Sequence, residues 1–525
     1  MLNRRSMIAG SAGVLALAGA GATHARPLLF AAGARWADVR RYGARGDGVA
    51  IDSDAVNRAI DDVASRGGGT VYFPAGTYAG YTIRLKSRVT LYLDNGATIL
   101  AAAPTATRGY DHAEPMDPAY SEYQDFGHSH WKNSLIWGEG LHDIAITGQG
   151  LIWGKGLGRG DGKDNWLKDP SGPGTGNKAI ALKNCRNVML SDFRMLEGGW
   201  FALLATGVDN MTIDNLVVDT NRDGFDIDCC KNVRVSNCTV NSPYDDGICP
   251  KSSYALGEPR VTENLTIANC FVTGNYQIGS VIDGTWKKMP ADFAPKIHGR
   301  IKFGTETNGG FRNIAITNCI FEDSRGLAFE TVDGGMIEDV TVSNLTMRGI
   351  VDAPIFVRLG KRMRGPAGRP IGTIKRVLMQ NIVSSNATVL PSVIAGLAGH
   401  PIEDLHISDV LMHHVGGAPA TMASVRPPEN ELGYPEATMF GDLPATGFFV
   451  RHARGLEMHN VQVQVAQPDP RPAFHLEDVD GADFHRVRVP GGAGAFVLQD
   501  VRDFRVTGSA AVPDKTIAGP FTGVA

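Results

Sequence analysis

Short runs of alternating apolar and polar residues recur through most of this chain. A typical unit begins with Asn or Asp and places apolar residues two positions apart, as at Val233 and Val235 or Ile314 and Ile316. This spacing is typical of short β-strands that bury one face. The unit recurs at intervals of about 20 to 28 residues, with longer intervals where segments are inserted, which is the period of a solenoid. The repeat starts are Asp143, Asn187, Asn210, Asn232, Asn264, Asn313, Asp339, Arg376, Asp404, Gly455, Asp483 and Asp503. The pattern predicts an all-β fold, a single-stranded right-handed parallel β-helix.

The region before the first repeat has a different pattern. Val56, Ile60 and Val63 have helical spacing, with Asp52 or Ser53 as the expected cap. Alternating strands follow at 70–78 and 89–93. A short helix with such strands would cover the open end of a solenoid, which otherwise exposes apolar core. We therefore predict a cap and first coils at 36–100 and a β-helix with a catalytic groove at 101–525.

Composition and charge limit the classes of partner and the location that we expect for this protein. The 525 residues carry 51 basic and 55 acidic side chains, a net charge of −4, so neither nucleic acid nor an anionic membrane is an expected partner. Residues 1–25 combine Arg4 and Arg5 with a weakly apolar Ala/Gly-rich run, which resembles a twin-arginine export signal. No later run is long and apolar enough to span a membrane. We expect a periplasmic or secreted protein that acts as a monomer.

Cysteine and asparagine have structural interpretations. The chain has seven cysteines, an odd number without zinc-binding spacing, which argues against a complete disulfide framework. We expect them to be small buried residues inside the coil. Asn237, Asn269, Asn318 and Asn344 recur at one place in the unit. We expect them to stack and to bond the backbone of the turns.

Two acidic clusters lie one repeat apart. Asp223 follows Asn221-Arg222, and the pair Asp245-Asp246 comes 22 to 23 residues later, with one repeat unit between them. Because neighbouring coils of a parallel sheet lie about 4.8 Å apart, Asp223 should stack near the pair. Carboxylates gathered on one outer face suit acid/base hydrolysis of a glycosidic bond, since crowded carboxylates do not all ionise. Asp226 and Asp228 face the groove or a turn and receive no chemical role.

Several motifs together resemble glycoside hydrolase family 28, the polygalacturonases and rhamnogalacturonan hydrolases, over nearly the whole mature chain. They are 42–48 (YGARGDG), 67–71 (GGGTV), 74–78 (PAGTY), 146–150 (ITGQG), 434–441 (YPEATMFG) and 447–452 (GFFVRH). Asn221-Arg222-Asp223 is similar to the family's Asn-Thr-Asp, and Asp245-Asp246 to its paired aspartates. The resemblance implies inversion by a single displacement. Asp245 would be the general acid, and Asp223 and Asp246 would activate water.

The chain departs from two other family motifs. His298-Gly299 is the nearest counterpart of the family's Gly-His-Gly, and Ala328 and Glu330 occupy the positions of its later basic pair. Arg300 and Lys302 instead form a basic pair one coil earlier, and strand alternation turns both to one side, with Ile301 and Phe303 inward. Arg300 and Lys302 are candidates to hold a substrate carboxylate.

The remaining candidates concern specificity. The candidate substrate-binding residues are His298, Arg300, Lys302, Glu306, Glu330 and Trp286, of which Trp286 would stack on a sugar ring. Inserted segments at 154–176, 283–299 and about 415–447 form the walls of a groove. Walls that close the groove favour attack at chain ends. The expected substrate is an acidic plant cell-wall polysaccharide or oligosaccharide, either a galacturonan or a rhamnogalacturonan.

Two other functions remain open. A pectate-lyase-like β-eliminase would use acidic residues to hold Ca²⁺ and Arg or Lys as base, and the chain contains both kinds of residue. A non-catalytic carbohydrate-binding β-helix is the second alternative, but it would have no reason to place three aspartates one coil apart. The hydrolase needs no cofactor and no metal.

Overall fold

The alternating segments fold into short strands that stack in parallel from one coil to the next. A computed structural model describes residues 36–158, 174–288, 297–490, 494–510 and 512–525. Trp36–Ala525 forms one compact unit, in which three stacks of parallel strands enclose an apolar core. This is the parallel β-helix that the repeat predicts. The predicted export signal lies outside the described residues.

The first stack contains the acidic clusters. Its strands are Ile83–Arg84, Ile136–Glu139, Lys178–Lys183, Phe201–Thr206, Asp223–Asp228, Ile248–Lys251, Ile301–Phe303, Leu327–Thr331, Ile355–Leu359 and Ser392–Ala395. The second stack is Trp36–Asp38, Gly69–Phe73, Val89–Leu93, His142–Thr147, Arg186–Ser191, Asp209–Asp214, Lys231–Ser236, Thr262–Ala268 and Gly310–Thr317. The third is Asp47–Ile51, Gly76–Gly80, Ala97–Ala101, Leu151–Trp153, Arg194–Leu196, Val217–Asp219, Thr239–Asn241, Phe271–Thr273 and Ile320–Glu322.

Longer strands continue the stacks toward the C-terminus. The strands Met336–Ile350, Thr373–Asn386 and Ile402–Gly416 extend the second and third stacks. Phe448–Gln467 extends all three stacks, and Phe474–His485 and Phe496–Thr507 continue the first and second. Lys515–Ile517 and Phe521–Val524 pair antiparallel with the last of them. These two strands cover the C-terminal end of the coil.

One α-helix, Ser53–Ser65, packs at the N-terminal end among the described residues. Val56, Ile60 and Val63 are buried as their spacing predicts. Asp52 is the N-cap residue, as predicted, but it makes no side-chain capping bond, because its carboxylate accepts hydrogen bonds from the backbone N–H groups of Arg45 and Gly46. Short 3₁₀ helices lie at Val39–Tyr42, Ser121–Tyr123, Phe126–Ser129, Ala420–Ser424 and Ala437–Phe440.

The turns depend on residues in the left-handed conformation. Every repeat start named above except Asp483 has a positive φ, near 55° at most of them, which Asn and Asp tolerate better than other side chains. Asn237, Asn269, Asn318 and Asn344 do stack, but their amides bond one another rather than the turn backbone, at 3.0 to 3.2 Å. The ladder therefore links coils through side chains.

The seven cysteines are buried and reduced. Cys185, Cys230, Cys238, Cys270 and Cys319 line the apolar core, which agrees with the role expected of them. No described helix is long and apolar enough to cross a membrane.

Candidate active site

Strand alternation places the acidic residues on the outer face of the first stack. Phe225 and Ile227 point into the core, where Phe225 stacks on Ile248 of the next coil. Asp226 and Asp228 must therefore point away from the core. Asp228 has a structural role, since its carboxylate accepts hydrogen bonds from the backbone N–H and the hydroxyl of Ser253 at 2.7 and 2.6 Å.

A glycine contact brings the two acidic turns together. The N–H of Gly224 donates to the carbonyl of Asp246 at 3.0 Å, and the N–H of Phe225 donates to that of Gly247 at 3.0 Å. A Cβ on Gly224 would lie 2.2 Å from the Gly247 oxygen. Glycine is thus required for Asp223 to approach the turn that contains Asp245 and Asp246.

Asp245 is an ionised carboxylate that reaches solvent. Its side chain is 21% exposed, and its Oδ2 accepts hydrogen bonds from Nη2 and Nε of Arg222 at 2.6 and 3.1 Å. Burial raises the pKa of Asp245, but the charges of Arg222 and His298 outweigh it and hold the pKa far below its ordinary value. In this structure Asp245 does not hold the proton that the resemblance assigns to it.

Asp223 is a buried carboxyl group whose surroundings favour its protonated form. It is 3% exposed, and its Oδ1 has no hydrogen-bond partner. Burial and the neighbouring charges of Asp245 and Asp226 raise its pKa well above the ordinary value. Asp223 and Asp226 place carboxylate oxygens within 4.8 Å of each other, and the charge of Asp245 also acts on Asp223. Because these charges oppose one another, the three carboxyl groups do not all ionise readily.

Asp246 is buried and paired with both candidate basic residues. Arg300 donates from Nε to Oδ1 of Asp246 at 2.6 Å, and Nζ of Lys302 lies 3.2 Å from Oδ2. Burial raises the pKa of Asp246, but Arg300 and Lys302 outweigh it and lower the pKa to about 2. Ile301 and Phe303 point inward as predicted. Because Arg300 and Lys302 are each 2% exposed, their cations first serve to keep Asp246 ionised.

His298 and Glu330 lie next to this pair. His298 groups with Asp245 and Asp246, with potential ligand atoms within 4.8 Å of one another, and burial lowers its pKa to about 4. Glu330 is fully buried, 3.8 Å from Nζ of Lys302, with no hydrogen-bond partner for either oxygen. Burial raises its pKa to about 7.

Glu306 lies in a second group on the other side of Asp223. It pairs with Lys251 at 3.3 Å and with Arg364 at 3.0 Å, and although burial opposes ionisation, these cations keep its pKa well below the ordinary value. His128 belongs to the same group. Its Nε2 lies 3.8 Å from Oδ2 of Asp226, and its ring packs on Phe201 with the ring centroids 4.7 Å apart.

Trp286 lies on a separate hairpin, in which Tyr276–Ile278 pairs with Lys287–Lys288. Its side chain is 44% exposed. Lys288 ties the hairpin to the third stack through Glu322 and Asp323, at 3.2 and 2.6 Å. Trp286 is therefore not part of the carboxylate cluster, and stacking on a sugar remains a prediction.

Several residues at this site have no role predicted from the sequence. They are His128, Arg222, Asp226, Lys251, Arg325, Tyr434 and Glu436. Tyr434 and Glu436 belong to the motif at 434–441, and Arg222 replaces the Thr of the family's Asn-Thr-Asp. The sequence therefore contained signals that could have pointed to these three residues. His128 comes from an inserted loop with no motif, and its position depends on how that loop packs.

A metal ion is poorly suited to the best-formed group of potential ligands. His128, Asp223 and Asp226 place ligand atoms within 4.8 Å of one another. However, Nζ of Lys251 is 3.7 Å from Asp226, and a cation there competes with a metal for the same charge.

The chain is similar in sequence to several known proteins. A family described as "Rhamnogalacturonase A/epimerase, pectate lyase-like" matches residues 36–249. A probable polygalacturonase of Vitis vinifera is 23% identical over 71% of this chain and 73% of its own length. An exo-poly-alpha-D-galacturonosidase of Dickeya chrysanthemi is 26% identical over 67% of this chain and 63% of its own length.

The fold also matches a solved structure. A family 28 exopolygalacturonase of Yersinia enterocolitica superposes with a TM-score of 0.60 at 18% identity, over 87% of this chain and 78% of that one. The coil is thus the right-handed parallel β-helix that the sequence predicts.

Proposed function

We propose that this chain, a glycoside hydrolase homologous to the polygalacturonases of family 28, hydrolyses galacturonan with Asp223, Asp245 and Asp246, by inversion and from the chain end. The observation that carries the proposal is the contact between successive coils, in which the N–H of Gly224 donates to the carbonyl of Asp246 and so brings Asp223 beside the turn of Asp245 and Asp246. A glycosidic bond needs one carboxyl group to protonate the leaving oxygen and another to activate water.

The residues divide these tasks by environment. Asp245 reaches solvent and serves as general acid at the leaving oxygen. Asp246, kept ionised by Arg300 and Lys302, and Asp223 take a proton from the attacking water. Inverting pairs stand roughly 6.5–9.5 Å apart to admit that water.

Two inserted segments support attack at chain ends. His128, from the loop before the Ile136–Glu139 strand, lies against Asp226. Tyr434, from the segment between the third and first stacks, contacts Nζ of Lys302 through its hydroxyl at 3.2 Å. These contacts fall on coils on either side of the Asp246 turn. Walls at both positions favour a short pocket over an open groove.

Product analysis tests the proposal. Purified protein is incubated with galacturonan oligosaccharides of defined length, and the new reducing end is followed by NMR during the first turnovers. We expect removal of units from one end and release of the inverted anomer. Retained anomers would contradict inversion. A rapid loss of viscosity on polymeric galacturonan would contradict end-wise attack.

The lyase alternative gives a different product. β-Elimination would form an unsaturated uronide that absorbs in the near-ultraviolet and would stop when Ca²⁺ is chelated. We expect saturated products only, at a rate that a chelator does not change. Unsaturated products that vanish with chelator would replace the hydrolase by a lyase.

The site of action is a further part of the proposal. We propose that the chain is exported through its twin-arginine-like segment at 1–25, because plant polysaccharides are met outside the cytoplasm. Changing Arg4 and Arg5 to Lys should retain the protein in the cytoplasm, as measured by fractionation. Unchanged export would contradict this part alone.

A further inference from the structure

Arg222 has an unusual position for a residue beside a general acid. A general acid must carry a proton, yet the guanidinium directs Nη2 and Nε to Oδ2 of Asp245 at 2.6 and 3.1 Å. Charge-assisted bonds of this kind stabilise the ionised carboxylate. Within the resemblance, this position carries Thr rather than Arg. The pair therefore holds the proposed acid in its inactive form.

The surroundings of Arg222 suit carboxylate recognition. Its guanidinium carbon lies 4.9 Å from the centroid of the Trp200 ring, so the plane of the fork is held on an aromatic surface. The side chain of Arg222 is 18% exposed, and that of Asp245 is 21% exposed. A carboxylate that enters the groove can thus reach the same donors that Asp245 now uses. Arg300 and Lys302 are less available, because they are 2% exposed and already paired with Asp246.

We propose that Arg222 is the substrate-carboxylate receptor of this site and that its transfer from Asp245 to a uronosyl carboxylate switches on the general acid. This inference rests on the proposed function and deepens it. When Arg222 bonds the substrate, Asp245 loses its two guanidinium hydrogen bonds and accepts the proton of Asp223, which lies beside the Asp245 turn on the preceding coil. One O–H bond of Asp223 breaks and one O–H bond of Asp245 forms. Asp245 becomes the acid and Asp223 the base in the same step.

The cycle closes without any other proton source. Asp245 gives its proton to the leaving glycosidic oxygen, and Asp223 takes one from the attacking water, whose oxygen bonds to the sugar carbon. Asp223 is then protonated and Asp245 ionised, which is the state of the free protein. Departure of the product carboxylate lets Arg222 return to Asp245. The arrangement would make catalysis depend on a substrate carboxylate beyond its effect on binding.

The charged groups that face Asp245 come from several elements. They are Arg222, Asp223, Asp226, Asp246, His298 and Tyr434. Of these, Arg222 is the one whose guanidinium bonds the Asp245 carboxylate directly. Removal of Arg222 should therefore shift the alkaline limb of the pH–rate profile toward higher pH, since the general acid Asp245 would then keep its proton to a higher pH.

Calorimetry with a ligand that cannot be hydrolysed tests the receptor. Galacturonic acid and its methyl ester are titrated into the full chain as wild type, Arg222→Gln, Arg222→Lys and the control Arg234→Gln, which changes an arginine on the second stack. We expect the wild type and the control to bind the acid about tenfold more tightly than the ester, and Arg222→Gln to lose the preference. Arg222→Lys should keep part of it. Equal preference in Arg222→Gln and wild type, or none in wild type, would overturn the inference.

A second measurement follows the proton. In protein labelled with ¹³C at aspartate carboxyl groups and assigned with Asp223→Asn and Asp245→Asn, the protonated signal should belong to Asp223 in the free protein. Saturation with galacturonic acid should move it to Asp245. A signal that stays on Asp223 would overturn the switch. Failure of the proposed function would look different, because the acid would bind and move the proton but no oligosaccharide would be cleaved.

Discussion

Lys302 and Asp246 form a buried ion pair across adjacent coils, with Nζ 3.2 Å from Oδ2. Each side chain is 3% exposed, and Arg300 completes the group on the other oxygen. A buried carboxylate is costly unless it is paired and hydrogen-bonded. The basic pair that the sequence places one coil early thus has a structural task of its own, which is to keep the buried carboxylate of Asp246 charged.

Replacing Arg300 by Met should destabilise the fold strongly. The change removes one partner of a buried pair and leaves Asp246 with Lys302 alone, at a cost of about 3–5 kcal/mol. The matched control is Arg312→Met, because the pair of Arg312 with Glu263 is exposed and should contribute less than about 1 kcal/mol. Denaturant unfolding measures both. Equal losses would mean that the Asp246 group is not a buried ion pair.

Glu330 should make stability depend on pH. Burial raises the pKa of this carboxyl to about 7, above its unfolded value, so the contribution is fully present below the unfolded pKa and is lost as the pH rises toward 7. Glu330→Gln should therefore stabilise the protein more at pH 8.5 than at pH 4.5, by on the order of 1–3 kcal/mol. Glu457→Gln, at an exposed position, is the control. If Glu330→Gln and Glu457→Gln changed the free energy of unfolding equally at both pH values, Glu330 would not be a buried neutral carboxyl group.

The asparagine ladder allows the backbone and side-chain contributions to the stability of the fold to be tested separately. Asn269 bonds Asn237 and Asn318, each at 3.2 Å, with a φ of 57°. Asn269→Ala loses both hydrogen bonds and places alanine, which has no side-chain hydrogen bond to offset the strain, in the left-handed region. Together these effects should lower the free energy of unfolding by about 2–4 kcal/mol. Asn269→Gly loses only the bonds and should cost less. A reversed order in thermal unfolding would contradict the account of these turns.

The sequence predicts the coil well because its signals are local. Each strand needs only apolar residues two apart, as at Phe225 and Ile227, and each turn needs a residue that accepts positive φ. The spacing of Asp223 and Asp245 follows from the same register. These features depend on chain neighbours and on one repeated geometry, so no knowledge of distant packing is required.

The protonation states could not be read from the sequence. They depend on contacts between distant segments, such as Arg222 with Asp245 and Arg300 with Asp246, which are 23 and 54 residues apart. The approach of His128 to Asp226 depends on a loop without regular pattern. The sequence thus selects the three aspartates as candidates, whereas tertiary contacts determine which of them favours the protonated form.

The turnover of single-residue variants on a galacturonan oligosaccharide tests the central claim most directly. Asp223→Asn, Asp245→Asn and Asp246→Asn are compared with Asp480→Asn, an exposed aspartate on a distant coil. We expect each of the three to lower kcat by about a hundredfold or more, as loss of a positioned acid or base does, while the fold and the Asp480→Asn rate stay unchanged. Three folded variants that retain wild-type kcat would contradict the assignment of this site.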